Sequence, residues 1–296
     1  MSFTNRSIFL SSMSVLVFIL AACLSAAAQT PSPTPVPSPT PTLEREFFKN
    51  VLRDQKAIWT APFHLHQHDA RWLGPLGLGT AALLVTDRQT GDEIGEFHAQ
   101  LKTSRIISYA GSTYGVGAVS AGFYLVGRMM HNDRGRETGI LGTEALVNSL
   151  IVVNALKEVS QRARPLAGRE RSEFFEGGSS FPSGHAIQAW SVATVIANEY
   201  HDHVAVQLAA YGIASAVSVS RFTVRKHYLS DVLIGSTMGY GIGRYVYRAH
   251  HRTKSGTGDD AGEEALSQSR TQRSLFVMPV YSRMSHVYGA ALSLSF

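Results

Sequence analysis

Read for its alternation of apolar and polar positions, the chain is a series of uncharged stretches separated by glycines and charged turns. Six of these stretches predict helices: Trp72 to Thr86, Ile106 to Gly127, Ala145 to Leu156, Ala186 to Asn198, Val204 to Ser220 and Val232 to Gly243. Ahead of them, Thr42 can cap a further helix with Glu44 and Glu46 in its first turn. Its apolar stripe of Leu43, Phe47, Val51 and Leu52 marks it as a docking helix. Near the C-terminus the period changes to two. Val287 to Phe296 puts Tyr288, Ala290, Leu292, Leu294 and Phe296 on one face, and Leu275 to Tyr281 offers a hairpin partner. The pattern predicts an all-α fold, a helical bundle of about six core helices, followed by a candidate C-terminal β-hairpin.

A helix that crosses a bilayer needs about 20 mostly apolar residues. Only Ile106 to Gly127 reaches that length, and five glycines dilute it. Glu144, Glu199 and Arg244 would lie inside or at the edge of longer spans, a costly arrangement unless they face the bundle interior. A compact exported bundle is therefore favoured over a six-span membrane enzyme.

The N-terminus changes this picture by adding an address. Residues 1–28 read as an export signal, with Arg6 before an apolar run from Ile8 to Ala22. Cys23, the only cysteine, closes Leu20-Ala21-Ala22-Cys23 as in a bacterial lipobox and is a candidate lipidation site; cleavage after Ala28 is the alternative. Residues 29–42 hold six of the eleven prolines and read as a disordered tether, extended at ~3.1 Å per residue. The expected layout is a signal (1–28), a Pro-rich linker (29–42), a helical domain (43–250), a flexible linker (251–274) and a hairpin tail (275–296). The expected location is the periplasmic side of a bacterial envelope, with membrane association through a lipid anchor or helices.

Composition excludes some classes. One cysteine permits no disulfide framework, and a net charge of +5 without a basic, aromatic-interleaved run argues against nucleic acid as a partner. His64, His66 and His68 alternate along one side of an extended segment. Lacking a helical i, i+4 pair or a further ligand cluster, they read as a polar loop, and no metal is assigned.

The candidate chemistry lies between Lys157 and Asp231, in three polar clusters within apolar sequence. They are Lys157 with Arg164-Pro165, then Pro182-Ser183-Gly184-His185, then Ser220-Arg221 with His227 and Asp231. Three cations, two histidines and a carboxylate suit a phosphate ester, since guanidinium forks and an ammonium hold anionic oxygens while imidazoles attack and protonate. Lys157 and Arg164, seven apart, are expected on one helix face before Pro165 ends the helix. Gly177-Gly178-Ser179-Ser180 reads as a flexible loop into the Ala186 helix, where free N–H groups and Gly184 can receive a phosphate. His227 and Asp231, at i and i+4, are expected on a helix with the carboxylate accepting from one ring nitrogen.

In order and spacing, all eleven positions resemble the signature of the type 2 phosphatidic acid phosphatase and vanadium haloperoxidase superfamily. The resemblance implies a phosphoric ester hydrolase without a cofactor, with Lys157, Arg164, Ser183, Gly184 and Arg221 binding phosphate. It implies that His227 attacks phosphorus to form a phosphohistidine, that Asp231 fixes the tautomer of His227, and that His185 protonates the leaving oxygen. The implied substrate is a lipid phosphate or a small phosphoester or pyrophosphate. The alternatives are a haloperoxidase holding vanadate at the same site and a non-catalytic phospholipid-binding envelope protein. Oligomeric state leaves no trace in the sequence.

Overall fold

The computed structural model describes residues 43–65, 69–93, 104, 107–165, 172–255, 274–282 and 287–295. The expected signal, Cys23, the Pro-rich tether, His66 and His68 lie outside them. The described helices are α1 (Leu43–Thr60), α2 (Ala70–Glu93), α3 (Thr113–Met129), α4 (Asp133–Ser160), α5 (Gly184–Glu199), α6 (Val204–Thr223) and α7 (Leu229–Ser255), with a 3-10 turn at Ala61–His64. Residues 107–110 are also helical and lead into α3. The expected helical bundle is the observed fold.

Caps set the ends of these helices. The side chains of Ser112 and Asn132 accept the N–H groups of Gly115 and Gly135, opening α3 and α4. Because Asn132 caps where it does, α4 runs 28 residues and takes in the charged turn before the expected Ala145 to Leu156 stretch. At its other end Gln161 adopts the left-handed conformation, φ 45° and ψ 33°, and returns its N–H to the Lys157 carbonyl. The helix therefore stops at Ser160. The spacing of Lys157 and Arg164 predicts one shared helix face, and the structure corrects this: Arg164 lies beyond the helix on irregular chain, consistent with the bias of pre-proline residues against helix.

Helix α5 is central. Its sequence is apolar nearly all round, as a helix covered on every side must be. One face packs with α3, α4 and α6 through Val192, Ile196, Phe123, Leu146 and Val217; the other packs with α4 and α7 through Ile187, Val195, Leu141, Val152 and Val246. Three glycines at four-residue spacing on α7 let it approach α5 closely. A Cβ on Gly235 would sit 2.7 Å from the Ser183 carbonyl oxygen, on Gly239 2.3 Å from that of Ile187, and on Gly243 2.2 Å from that of Ser191. No side chain fits along this seam.

The docking helix α1 does pack on the bundle, Leu43 and Ile58 joining the second cluster. Its inward face is Asn50, Val51 and Asp54, whereas Leu52 is 74% exposed and Phe48 79%. The expected stripe thus loses Leu52 to solvent, because polar partners on α4 and α7 claim the adjoining face. Glu144 and Glu199 face the interior. Among the described residues, α4 and α6 are long and apolar enough to cross a membrane, though most of the apolar stretch of α4 is buried within the protein.

The chain divides into two compact units at residue 251. In the second, β1 (Ser274–Ser282) and β2 (Val287–Ser295) form an antiparallel hairpin in which Leu275 faces Leu294 and Tyr281 faces Tyr288.

Candidate active site

Four chain segments meet around the start of α5: the end of α4 with the residues after it, the loop 172–183, the end of α6, and the turn into α7. Between the first two, the backbone is laced together. Ala163 N–H donates to the Glu173 carbonyl, Phe175 N–H to Ser160, Gly178 N–H to Gln161 and Ser180 N–H to Arg162. The Gly177 to Ser180 segment, expected as a flexible loop, is therefore pinned, with Gly177 supplying the positive φ of 69° that the turn requires.

These connections bring the predicted residues together. A Cβ on Gly184 would lie 3.3 Å from Lys157 Nζ, so the ammonium rests against the first residue of α5. His185 follows, within the fields of Arg221, His227, Lys157 and Arg164. Arg164 Nη2 donates to Ser179 Oγ at 3.2 Å and Arg221 Nη1 to Ser108 Oγ at 2.9 Å, which aims both forks. Ser220 serves that same support, its hydroxyl 3.1 Å from Ser108 Oγ. Arg164 Nε, Arg221 Nε and Ser183 Oγ are buried without a hydrogen-bond partner among the described residues. Ser183 is the cap position of α5, yet its hydroxyl caps nothing. Buried polar groups are seldom left unpaired. Such donors, with the free N–H groups of a helix start, form a cradle for an anion.

His227 differs from its expected setting. Helix α7 begins only at Leu229, so the ring does not lie over a helical turn above Asp231. Its Nδ1 is 2.6 Å from the Ser180 carbonyl oxygen and 3.8 Å from Asp231 Oδ2, too far for a hydrogen bond to the carboxylate. A carbonyl only accepts, so Nδ1 carries the proton and Nε2 keeps a bare lone pair. Asp231 acts at one remove: Oδ2 accepts from the Ser180 hydroxyl at 2.5 Å and the Tyr228 N–H at 3.0 Å, fixing the two segments that hold the ring.

Behind Asp231 lies Arg162, which the sequence reading passed over. It has no exposed surface. Nη1 donates to Asp231 Oδ1 at 2.5 Å and Ser230 Oγ at 2.8 Å, Nη2 to Asp87 Oδ2 at 2.9 Å, and Nε to the Ser172 carbonyl at 3.2 Å. The guanidinium also lies over the Tyr228 and Phe174 rings. Asp87, from α2, accepts the Ser230 N–H and hydroxyl as well. One buried cation thus joins two carboxylates from distant parts of the chain.

Electrostatics follows from this packing. Burial, and then the neighbouring Arg221, His227, Lys157 and Arg164, each of which disfavours a second charge, push His185 down to about 3. Burial likewise lowers His227, against the opposing pull of Asp231, so its ring is neutral near pH 7. For Asp231 burial favours the acid form, but the His227 ring, Arg162 and the Ser180 hydroxyl outweigh it and hold the carboxyl below its usual range. Lys226 is exposed at the rim, and Arg225 takes a left-handed conformation in the turn before His227. His64 is exposed, its Nδ1 2.9 Å from the Thr60 carbonyl oxygen.

Comparison with known proteins points the same way. Residues 140–255 match the family model of the PAP2 superfamily. A lipid A 1-phosphatase of Porphyromonas gingivalis is 32% identical over 111 residues, which are 36% of this chain and 23% of that protein. A PA-phosphatase related-family protein of Dictyostelium discoideum is 28% identical over 147 residues, 44% of this chain and 54% of that one. The chain spans little more than half, at most, of the length of these curated relatives. Among solved structures, a transmembrane PAP2 type phosphatidylglycerolphosphate phosphatase from Bacillus subtilis is similar with 20% identity and a TM-score of 0.44, over 70% of this chain and 96% of that one. LpxE of Aquifex aeolicus gives 19% identity and a TM-score of 0.44, over 56% and 94%. Residues 140–255, the segment that carries all eleven positions of the three clusters, thus match the PAP2 superfamily.

Proposed function

We propose that this chain is a phosphoric monoester hydrolase acting on a lipid phosphate through a phosphohistidine at His227. The observation that carries the reading is a convergence. Lys157, Arg164 and Arg221, with the unpartnered Ser183 hydroxyl and the start of α5, surround a neutral imidazole whose Nδ1 is occupied by the Ser180 carbonyl. Lys157, Arg164, Arg221, Ser183 and the Gly184 backbone bind the non-bridging oxygens. Nε2 of His227 attacks phosphorus as the bond to the leaving oxygen breaks, and His185 delivers a proton to that oxygen. His185 then takes a proton from a water that attacks phosphorus as the phosphorus–nitrogen bond breaks, releasing phosphate and restoring His227. The reaction itself calls for no metal or other cofactor.

A lipid substrate is supported by the named activity of the P. gingivalis relative and by the surface. Trp72, Leu78 and Val85 of α2, Tyr114 and Leu125 of α3, and Leu208 of α6 are all more than half exposed. Apolar surface of this extent suits contact with a membrane, on the envelope face that the export signal would reach.

The test is phosphate release from phosphatidate and from 4-nitrophenyl phosphate by the purified full chain in chelator. Turnover that survives chelator and falls by ~10³-fold or more in His227→Ala is expected. Activity unchanged in that variant, or dependent on added metal, would overturn the mechanism.

A further inference from the structure

A second cluster of charge is buried away from the phosphate cradle, where α1 docks on the bundle. Asp54 of α1 and Glu144 of α4 have no exposed surface, and His250 of α7 is 6% exposed. His250 Nε2 lies 2.7 Å from Glu144 Oε1 and 3.4 Å from both oxygens of Asp54. One donor atom from each of the three residues falls within 4.8 Å of the other two.

Hydrogen bonds within the cluster are incomplete. Asn148 Nδ2 donates to Asp54 Oδ2 at 2.9 Å and is itself held by Gln55 at 2.8 Å. His250 Nε2 pairs with Glu144 Oε1 at 2.7 Å and lies 3.4 Å from Asp54 Oδ2. Asp54 Oδ1 and Glu144 Oε2 are left without hydrogen-bond partners among the described residues. One turn before Asp54 on the same face of α1, Asn50 is 2% exposed and its Oδ1 is also unpartnered. Every orphan here is an oxygen acceptor.

The charge count is unbalanced too. Two carboxylates face one imidazole, so even a fully protonated ring leaves one negative charge in a space closed to water. A trapped proton can satisfy one oxygen pair. A divalent cation balances both carboxylates against a neutral ring and serves the unpartnered carboxylate oxygens at once.

We propose that Asp54, Glu144 and His250 form a structural site for a first-row divalent cation, zinc before manganese, which clasps α1 to α4 and α7. One nitrogen and two or three oxygens suit zinc, and the order of affinities among these metals favours it over manganese. The three residues are closed off from solvent, so the ion holds helices and performs no chemistry.

The experiment uses the full chain purified without chelator, its metal content read by mass spectrometry. After exhaustive dialysis against EDTA, Zn²⁺ and Mn²⁺ are titrated by calorimetry while thermal unfolding is followed. About one Zn²⁺ per chain, a higher unfolding temperature with Zn²⁺, and ~100-fold or greater loss of affinity in Glu144→Gln, Asp54→Asn and His250→Gln are expected, with His227→Ala binding as the parent does. A stripped parent that takes up no Zn²⁺ or Mn²⁺ at millimolar concentration overturns the clasp, as does undiminished uptake in Glu144→Gln. Stoichiometry in the parent decides the matter even if a variant fails to fold. Aryl phosphatase activity in chelator, measured alongside, reports on the phosphate site separately.

Discussion

A neutral His185 has a chemical consequence for the proposed mechanism: the proton it would give to a leaving group has to arrive with the substrate. Burial holds the ring near 3 together with the surrounding cations, and bound phosphate offsets the cations, so protonation of the ring is favoured in the complex. A monoanionic phosphate carries the required proton and a dianion does not. The ratio kcat/KM should therefore fall as pH rises through the second ionisation of the substrate phosphate, near about 6; a flat profile from pH 5 to 8 would contradict this. His185→Asn should lose ~10²- to 10⁴-fold on an alkyl or lipid phosphate and much less on 4-nitrophenyl phosphate, whose leaving group needs no proton. Equal losses on both would remove His185 from the acid role. Arg162 acts through its neighbours. Arg162→Met should destabilise the chain by ~3 to 5 kcal/mol in urea unfolding, since Asp87 and Asp231 would face each other without a counter-charge. The eleven signature positions could be read because each residue type is tied to phosphate chemistry at a set spacing. Arg162, Asp87, Ser180 and Ser108 could not, because their roles come from contacts across 51 to 113 positions. The one local hint was a second arginine two residues before Arg164, inside a gap that looked like spacer.

At the scale of elements, the seam between α5 and α7 makes a paired prediction. Gly239→Ala would put a methyl 2.3 Å from the Ile187 carbonyl oxygen and 2.9 Å from Trp190 Cβ, forcing the helices apart at a cost of ~1 to 3 kcal/mol. Gly241, two residues on, is exposed with nothing within 4 Å, and Gly241→Ala should be neutral or stabilising by up to ~1 kcal/mol. Chemical denaturation of the two variants checks the pair; similar effects would mean the seam is not close-packed. Helix existence followed from uncharged stretches, but helix ends did not. A reading that looks for missing charge stops where α4 becomes amphipathic, although the helix continues back to its Asn132 cap. The same reading placed His227 on a helix because i, i+4 spacing is helical, whereas the turn into α7 ends only at Tyr228.

For the molecule as a whole, the exposed apolar residues of α2 predict behaviour at a lipid surface. Trp72→Ser with Leu78→Ser should weaken co-sedimentation with phospholipid vesicles and reduce turnover of phosphatidate in them, while leaving hydrolysis of soluble 4-nitrophenyl phosphate unchanged. Parallel loss on both substrates would point instead to a folding defect. The bond from Arg162 to Asp87 has one more implication, for what counts as the smallest working piece. Asp87 stands more than fifty residues before the segment that matches the family model. A fragment of residues 140–255 would retain all eleven signature side chains and still hold a buried guanidinium missing one of its two carboxylates. Exchanging that segment alone with a relative's would carry the proposed catalytic groups without the brace behind them, so a functional graft has to begin upstream of α2.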